Sequence, residues 1–215
     1  YKKWLSSDKL SEAEKNELTA LAGKDDEIKS RFSSNLSFGT AGLRGTMKVG
    51  MNAMNVHTVA QATQGFAALI LKENRANDGV VIACDSRNNS ELFSKTAAEV
   101  LAANGIKTYI FDGIRPTPEL SFAIRELHAV AGINITASHN PKEYNGYKAY
   151  WDDGAQLPPE HAKIVSDEIA KVDIFDGVKK TDFESAVKDG KIIVIGSEID
   201  KKYLDTVEKQ LVNPE

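Results

Sequence analysis

The sequence predicts an α/β fold: a mixed, mainly parallel sheet with helices on both of its faces. Three short apolar segments alternate with two segments of helical periodicity between residues 79 and 135. Alternation at this spacing is typical of parallel strands joined by crossover helices. The first apolar segment, 79–83, is rich in β-branched residues, as expected for a strand that is covered on both sides.

The N-terminal part predicts two helices. Ser11 and Glu14 have the spacing of a capping box, so a surface helix should begin after Ser11 and run to about Gly23. Apolar residues then recur every three or four positions over 55–75, which predicts a second and longer helix.

The central part alternates strictly between the two periodicities. Strands are predicted over 79–83, 107–111 and 130–135, and helices over 90–104 and 118–127. Ser90 is the expected N-cap of the first of these helices, and Gly105 is expected to end it in a left-handed conformation.

The C-terminal part predicts helices over 162–172 and 183–188, a strand over 191–195 and a last helix over 197–211. The 215 residues fit one large domain, or one domain with part of another. Because nothing follows the last helix for it to pack against, we expect residues 1–195 to form a first domain and 196–215 to begin a second one.

Composition excludes several classes of function. Lys and Arg number 27 against 31 Asp and Glu, and this net charge of −4 argues against a nucleic-acid-binding module. The longest apolar stretch, 65–71, is too short to span a membrane. The first residues lack an initiator Met and the apolar core of a signal peptide, so a cytoplasmic location is expected. The single cysteine, Cys84, excludes an intrachain disulfide and a cysteine-clustered zinc site.

Candidate functional residues follow the predicted strands, because ligands in open α/β sheets bind beyond the carboxyl ends of the strands. The richest such segment is 136–148, in which the hydroxyl of Ser138 is followed at once by His139 and Asn140. Asn145 and Gly146 predict a second tight turn that swings Lys148 back over the loop. A polar surface loop that satisfies its own backbone is the alternative interpretation.

A second candidate is the glycine-rich segment 38–46, where glycines stand at every third position. Its backbone N–H groups, together with Arg44, suit an anionic phosphoryl group. The spacing is neither that of a Walker A loop nor that of a dinucleotide fingerprint. A glycine-rich turn without a ligand is an equally open interpretation.

These motifs resemble those of the α-D-phosphohexomutases, the phosphoglucomutase and phosphomannomutase family. Residues 136–141, Thr-Ala-Ser-His-Asn-Pro, resemble the phosphoserine loop of the family, and the similarity continues over 144–148. Segments 38–45, 85–87 and 116–118 resemble three further family segments in the same order. The flanks, before residue 35 and after residue 159, match only loosely. The resemblance implies the first domain of the phosphohexomutase fold.

The resemblance also implies a mechanism. In the family, the serine that matches Ser138 donates a phosphoryl group to a sugar monophosphate, and the other phosphate of the resulting bisphosphate returns to the serine. Arg44 and Lys148 would supply cations beside phospho-Ser138, and His139 would hold or exchange a proton. Whether His139 or Lys148 is the general acid or base stays open. The other implied phosphate-binding or substrate-binding residues are Thr40, Gly42, Asn140 and Arg87.

Two of these implied roles have alternatives. Asn140 could also brace the loop, and a packing or capping role for Arg87 is as open as a phosphate contact. Three further histidines, His57, His128 and His161, have no partners at metal-ligand spacing and are expected in structural or surface roles.

The family implies Mg²⁺, held by an Asp-Gly-Asp-x-Asp-Arg loop and by an oxygen of the serine phosphate, here on Ser138. That spacing does not occur in this sequence. The aspartate ligands, the sugar-recognition loop and the C-terminal phosphate-binding domain are therefore expected in downstream domains of the same polypeptide. A sugar 1,6-bisphosphate is the implied activator, and this chain alone is expected to be inactive.

The favoured function is the interconversion of glucose 1-phosphate and glucose 6-phosphate. A phosphopentomutase, a phosphomannomutase and a glucose 1,6-bisphosphate synthase remain alternatives within the family, and a phosphosugar-binding module without catalysis is another. A serine hydrolase would need Gly-x-Ser-x-Gly and a separate histidine, and Ser138 lacks the flanking glycines.

Overall fold

The computed structural model describes residues 1–39 and 42–212. Within them the elements follow in this order: α1 (Lys2–Leu5), α2 (Glu12–Thr19), α3 (Asp25–Phe32), β1 (Leu43–Thr46), α4 (Val56–Lys72), β2 (Val80–Cys84), α5 (Ser90–Ala103), β3 (Thr108–Phe111), α6 (Thr117–Glu126), β4 (Ala131–Ile135), β5 (Tyr144–Trp151), α7 (Pro159–Ile169), α8 (Phe183–Lys188), β6 (Ile192–Ile195) and α9 (Ser197–Glu208).

The strands form one mixed sheet in the order β1-β5-β4-β2-β3-β6. The neighbours β4, β2, β3 and β6 are parallel to one another, whereas β5 runs antiparallel to both β4 and β1. The predicted fold class, a mainly parallel mixed sheet, is therefore confirmed.

Helices cover both faces of this sheet. Strand β2 shows the division, because Val80 and Ile82 lie in the core under α4, α5 and α7, whereas Val81 and Ala83 lie in the core under α6 and α9. Successive residues of a strand point to opposite faces, so an all-apolar β2 serves two cores at once. The burial of all five β2 residues agrees with this arrangement.

The N-terminal helices form a third, smaller core that the sequence interpretation left out. Trp4 is almost fully buried in it, against Phe32 and Phe175. The ring of His57 packs on Trp4 as well, and its Nε2 lies 3.0 Å from Oε1 of Glu14. Burial lowers the pKa of His57, although the Glu14 carboxylate opposes this shift. His57 thus has a packing position, as predicted.

Several predicted helix ends are present. Ser11 and Glu14 form the expected capping box, and Gly105 has a φ of 76° after α5. The prediction that Ser90 caps α5 is wrong: Asn89 is the N-cap residue and Ser90 is the first residue of the helix. The reason is that the Ser90 hydroxyl is engaged by Asp85 and Asn145 instead.

The last helix, α9, packs on α6. Ile199 is buried there, the Tyr203 ring lies 5.7 Å from that of Phe122, and Lys202 pairs with Glu126 at 2.9 Å. A boundary between two domains at residue 196 stays a prediction. Among the described helices, none is both long enough and apolar enough to cross a membrane.

Candidate active site

The segment that follows β4 holds its serine in an unusual backbone conformation. Ser138 has a φ of 55°, in the left-handed region that non-glycine residues rarely adopt. Its N–H donates to Oγ1 of Thr136 at 3.0 Å, and the N–H of Asn140 donates to the carbonyl of Ala137 at 3.1 Å. The Ser138 side chain itself is exposed at the carboxyl end of the sheet, where the sequence predicts the site.

His139 stands next to the serine hydroxyl. Its Nδ1 lies 3.4 Å from Oγ of Ser138, and both residues are exposed. This separation is longer than the roughly 2.6–3.2 Å of a catalytic hydrogen bond, and it places the imidazole beside the hydroxyl. Within residues 1–39 and 42–212 no carboxylate is bonded to His139, so the triad of a serine hydrolase is not assembled there.

Arg87 reaches this loop from the carboxyl end of β2. Its guanidinium donates to the backbone carbonyls of Ser138 and Asn140 at 2.7 and 2.6 Å, and to those of Pro141 and Tyr144 at 3.0 Å each. The side chain is only 14% exposed. Of the two roles that the sequence left open for Arg87, the structure contains the packing role. A contact between Arg87 and a phosphate stays a prediction.

The predicted turn at Asn145 and Gly146 is wrong, because both residues lie within β5. The Asn145 side chain is fully buried and donates to the carbonyl of Asn88 at 3.0 Å. A Cβ on Gly146 would lie 2.6 Å from the carbonyl oxygen of Thr136. Asn145 thus packs in the interior, and Gly146 allows the backbone of Thr136 to approach closely. Lys148 is positioned by strand β5 and not by a turn.

Strand pairing brings the two predicted cations together. Arg44 in β1 lies opposite Gly146 of β5, and Lys148 follows two residues later on the same face of the sheet. Nη1 of Arg44 donates to Oδ1 of Asn140 at 3.2 Å, which brings its guanidinium to the serine loop. Among the described residues, neither Arg44 nor Lys148 has a carboxylate partner, and unpaired cations suit an anionic ligand.

Two described residues of the glycine-rich segment, Gly39 and Gly42, pair with each other, and Gly42 lies against β5. Gly39 and Gly42 donate their N–H groups to each other's carbonyls at 3.1 and 2.8 Å, so the predicted cradle of free N–H groups is not formed by these two residues. Gly42 has a φ of 83°, and a Cβ there would lie 1.9 Å from the carbonyl oxygen of Tyr147. Gly42 is thus required for backbone contact with β5. Thr40 lies outside the described residues.

One buried polar residue beneath the site escaped the sequence interpretation. Asn134 stands in the apolar strand β4, directly opposite Lys148, and its Nδ2 donates to Oγ1 of Thr117 at 2.8 Å. A lone asparagine in an otherwise apolar strand is the signal that could have identified it. It connects the start of α6 to β4, the neighbour of the strand that bears Lys148.

A second cluster of charges joins the start of α6 to α9. Arg115 forms a bidentate pair with Asp200 at 2.7 Å and reaches Asp112 at 2.9 Å. Glu119 is buried beside them, and this burial, together with a hydrogen bond to Asp200 and its charge, raises the pKa of Glu119 to about 7. Arg115 opposes the shift but does not cancel it.

The described residues fit a bound metal only in part. They contain no group of three or more His, Cys, Asp or Glu side chains that could hold a metal ion. Ser138, once phosphorylated, would supply a single oxygen ligand. The acidic ligand set that the resemblance implies is therefore not formed by the described residues.

Comparisons with known proteins find relatives over most of the chain. The family model described as phosphoglucomutase/phosphomannomutase, alpha/beta/alpha domain I, matches residues 35–174. The chain is 43% identical over 188 residues to a phosphoglucomutase of Staphylococcus saprophyticus, a match that covers 87% of this chain and 34% of that protein. It is 41% identical over 177 residues to the human phosphopentomutase, covering 77% of this chain and 29% of the relative.

The fold agrees with solved structures as well. A phosphoglucomutase/phosphomannomutase family protein of Burkholderia thailandensis superposes with a TM-score of 0.63 at 20% identity, covering 83% of this chain and 36% of the other. The chain therefore spans about a third of the length of the relatives it matches.

Proposed function

Because the chain belongs to the phosphoglucomutase/phosphomannomutase family, we propose that it is the domain of a sugar phosphate mutase that carries the transferred phosphoryl group on Ser138. The observation that carries this proposal is the exposed Ser138 hydroxyl, with Nδ1 of His139 at 3.4 Å. Arg44, which is held at the same loop through Asn140, adds a positive charge. The proposed reaction interconverts glucose 1-phosphate and glucose 6-phosphate.

The proposed first step transfers the phosphoryl group from the enzyme to the sugar. The bond between Oγ of Ser138 and phosphorus breaks, and a bond forms between phosphorus and the free hydroxyl oxygen of the sugar monophosphate. The sugar hydroxyl gives up its proton, and Oγ of Ser138 takes one. His139 is the group that we place at Oγ, and Lys148 is the alternative for proton transfer.

The second step reverses the first with the other phosphate of the bisphosphate. The bond between the second phosphorus and its sugar oxygen breaks, and this phosphorus bonds to Oγ of Ser138. Oγ gives up its proton, the freed sugar oxygen takes one, and the sugar leaves with its phosphate at the other carbon. Phosphoryl transfer depends mainly on positioning and on stabilising the spread charge of the phosphoryl oxygens. Arg44 and Lys148, on one face of the sheet, are proposed to supply that charge.

The complete mutase needs more than this chain. A bound Mg²⁺ would neutralise charge on the transferring phosphoryl group, and Ser138 is the residue of this chain that would contact it through a phosphate oxygen. We place the acidic ligands and the sugar-recognition residues in downstream domains of the same polypeptide. That placement agrees with the chain spanning about a third of its relatives' length.

A second candidate substrate is a pentose phosphate. The similarity to the human phosphopentomutase, 41% identity over 177 residues, favours it almost as much as the similarity to a phosphoglucomutase favours glucose. A comparison of turnover on glucose 1-phosphate and ribose 1-phosphate by the longer polypeptide decides between them.

Turnover by the Ser138→Ala variant of that longer polypeptide tests the proposed function kinetically. We expect steady-state mutase activity to disappear in this variant. Ser33→Ala, at an exposed serine after α3, is the matched control and should keep wild-type activity. Mutase turnover that survives Ser138→Ala contradicts the proposal.

A further inference from the structure

We propose that Arg87 is a positioning residue, which holds Ser138 in its reactive orientation through backbone contacts and leaves the phosphoryl group to other cations. The link to phosphoryl transfer rests on the proposed function. The link to the conformation of Ser138 rests on geometry alone.

Backbone carbonyls accept hydrogen bonds from both terminal nitrogens of the Arg87 guanidinium. Nη2 donates to the carbonyls of Ser138 and Asn140, and Nη1 donates to those of Pro141 and Tyr144, so each terminal nitrogen has two acceptors. A guanidinium has two N–H groups on each terminal nitrogen and one on Nε. Nε lies 3.6 Å from Oδ2 of Asp85. The four terminal N–H groups therefore face backbone carbonyls, and within the part of the chain that the structure describes only Nε has no hydrogen bond.

The base of Arg87 is anchored as well. Oδ1 of Asp85 accepts the Arg87 backbone N–H at 3.0 Å and the Ser90 hydroxyl at 3.2 Å. Nδ2 of Asn145 reaches the same Ser90 hydroxyl at 3.1 Å. Arg87 is thus fixed between α5 and β5. Its planar guanidinium in turn fixes the backbone of the serine loop through hydrogen bonds.

This contact matters because of the conformation that it holds. A φ of 55° is unfavourable for a serine by roughly 1 kcal/mol or more, so surrounding contacts must maintain it. The bond from Arg87 Nη2 to the Ser138 carbonyl, at 2.7 Å, acts on the residue that bears the hydroxyl. When φ returns to negative values, Cβ and Oγ move to another direction relative to His139 and Arg44.

Arg87→Lys tests the proposal, since lysine keeps the charge and loses the fork. We expect nuclear magnetic resonance of the 215-residue chain to show Ser138 leaving the left-handed region, through a changed HN–Hα coupling and changed chemical shifts. The matched control is Arg125→Lys, which removes an exposed arginine with one carbonyl contact, at 3.2 Å to Ser121. A loss of global stability alone would lower the melting temperature of Arg87→Lys without changing Ser138. An unchanged Ser138 signature overturns the proposal.

A measurement on the wild-type chain covers the case in which Arg87→Lys does not fold. Four carbonyl bonds should restrict rotation of the guanidinium, so the Nη protons of Arg87 should give separate, slowly exchanging signals. Nη signals averaged as in a free arginine overturn the proposal without any variant.

The kinetic consequence is tested in the longer polypeptide. Misplacement of a reacting group by about 1 Å can slow a reaction by roughly 10²-fold. Because Arg87→Lys should misplace the Ser138 hydroxyl, we expect its kcat to fall by about that factor. The KM for the sugar phosphate should change little. A large rise in KM with an unchanged kcat would instead indicate a phosphate contact and overturn the proposal. Failure of the proposed function would appear separately, as a wild-type protein without phosphoserine or turnover, and the resonance experiment would still decide the role of Arg87.

Discussion

Nη1 of Arg44 lies 3.2 Å from Oδ1 of Asn140, although 96 residues of sequence separate the two side chains. This bond joins the first strand of the chain to the loop that bears Ser138. Arg44 is otherwise exposed. The amide oxygen of Asn140 therefore holds the guanidinium of Arg44 at the serine loop, and we call this contact the tether.

The tether predicts that Arg44 and Asn140 act together. In the longer polypeptide, Arg44→Gln should lower kcat/KM for the sugar phosphate by roughly 10²-fold or more, through lost stabilisation of charge in the transition state. Asn140→Ala should lower it by about 10-fold, because Arg44 is then less well oriented. Steady-state kinetics of the single and double variants measure these effects.

The double variant is the decisive comparison in that series. If Asn140 acts through Arg44, Asn140→Ala should cause little further loss in the Arg44→Gln background. If the losses of kcat/KM in the two single variants instead add up in the double variant, Asn140 acts independently of Arg44. That result would contradict the tether.

Gly42 should be far more sensitive to substitution than a glycine of similar backbone conformation. Gly23 has a φ of 79° and open space around it, whereas a Cβ on Gly42 would lie 1.9 Å from the Tyr147 carbonyl oxygen. We expect Gly23→Ala to lower the free energy of unfolding by about 1 kcal/mol from φ alone. Gly42→Ala should lower it by about 3 kcal/mol or more, since overpacking adds to that strain. Urea denaturation measures both values, and equal losses would refute the close approach.

The buried carboxyl of Glu119 should make stability depend on pH near neutrality. Its pKa is raised from 4.5 to about 7 in the folded chain. Between these values the folded state keeps a proton that the unfolded state has lost, so the free energy of unfolding should decrease as pH rises through this interval. Glu119→Gln should remove this contribution and give a flatter profile between pH 5 and pH 8.

Urea denaturation across that pH range measures the Glu119 effect. Glu198→Gln, at an exposed carboxylate on α9, is the control and should keep the wild-type slope. A Glu119→Gln profile parallel to that of the wild type would show that this carboxyl does not titrate as described.

The sequence allowed the central alternation and the location of the serine loop to be predicted because both depend on local signals. Strands β2, β3 and β4 are apolar runs, and Ser138 follows one of them directly. Strand β5 gave no such signal, since Asn145 and Gly146 favour a turn locally. Its formation depends on pairing with β4 and with β1, which lies about 100 residues earlier in the chain.

The roles of the charged residues were predictable only in part. Arg44 and Lys148 could be identified from their motifs, and strand register then brought them to one face. The acceptors of Arg87 are backbone carbonyls of a distant loop, which no residue pattern indicates. Glu119 is buried beside Asp200 of α9, and both the burial and this neighbour raise its pKa, so the altered pKa follows from tertiary structure.

The most direct test of the proposed function is peptide mass spectrometry of the longer polypeptide after incubation with glucose 1,6-bisphosphate. The proposal predicts the mass of one phosphoryl group on the peptide that contains Ser138 and the absence of that mass in Ser138→Ala. It also predicts that excess glucose 1-phosphate removes the group, because the free hydroxyl of this sugar monophosphate accepts it and the bisphosphate is released. A phosphoryl group on another residue, or mutase turnover with Ser138 unmodified throughout, would contradict it.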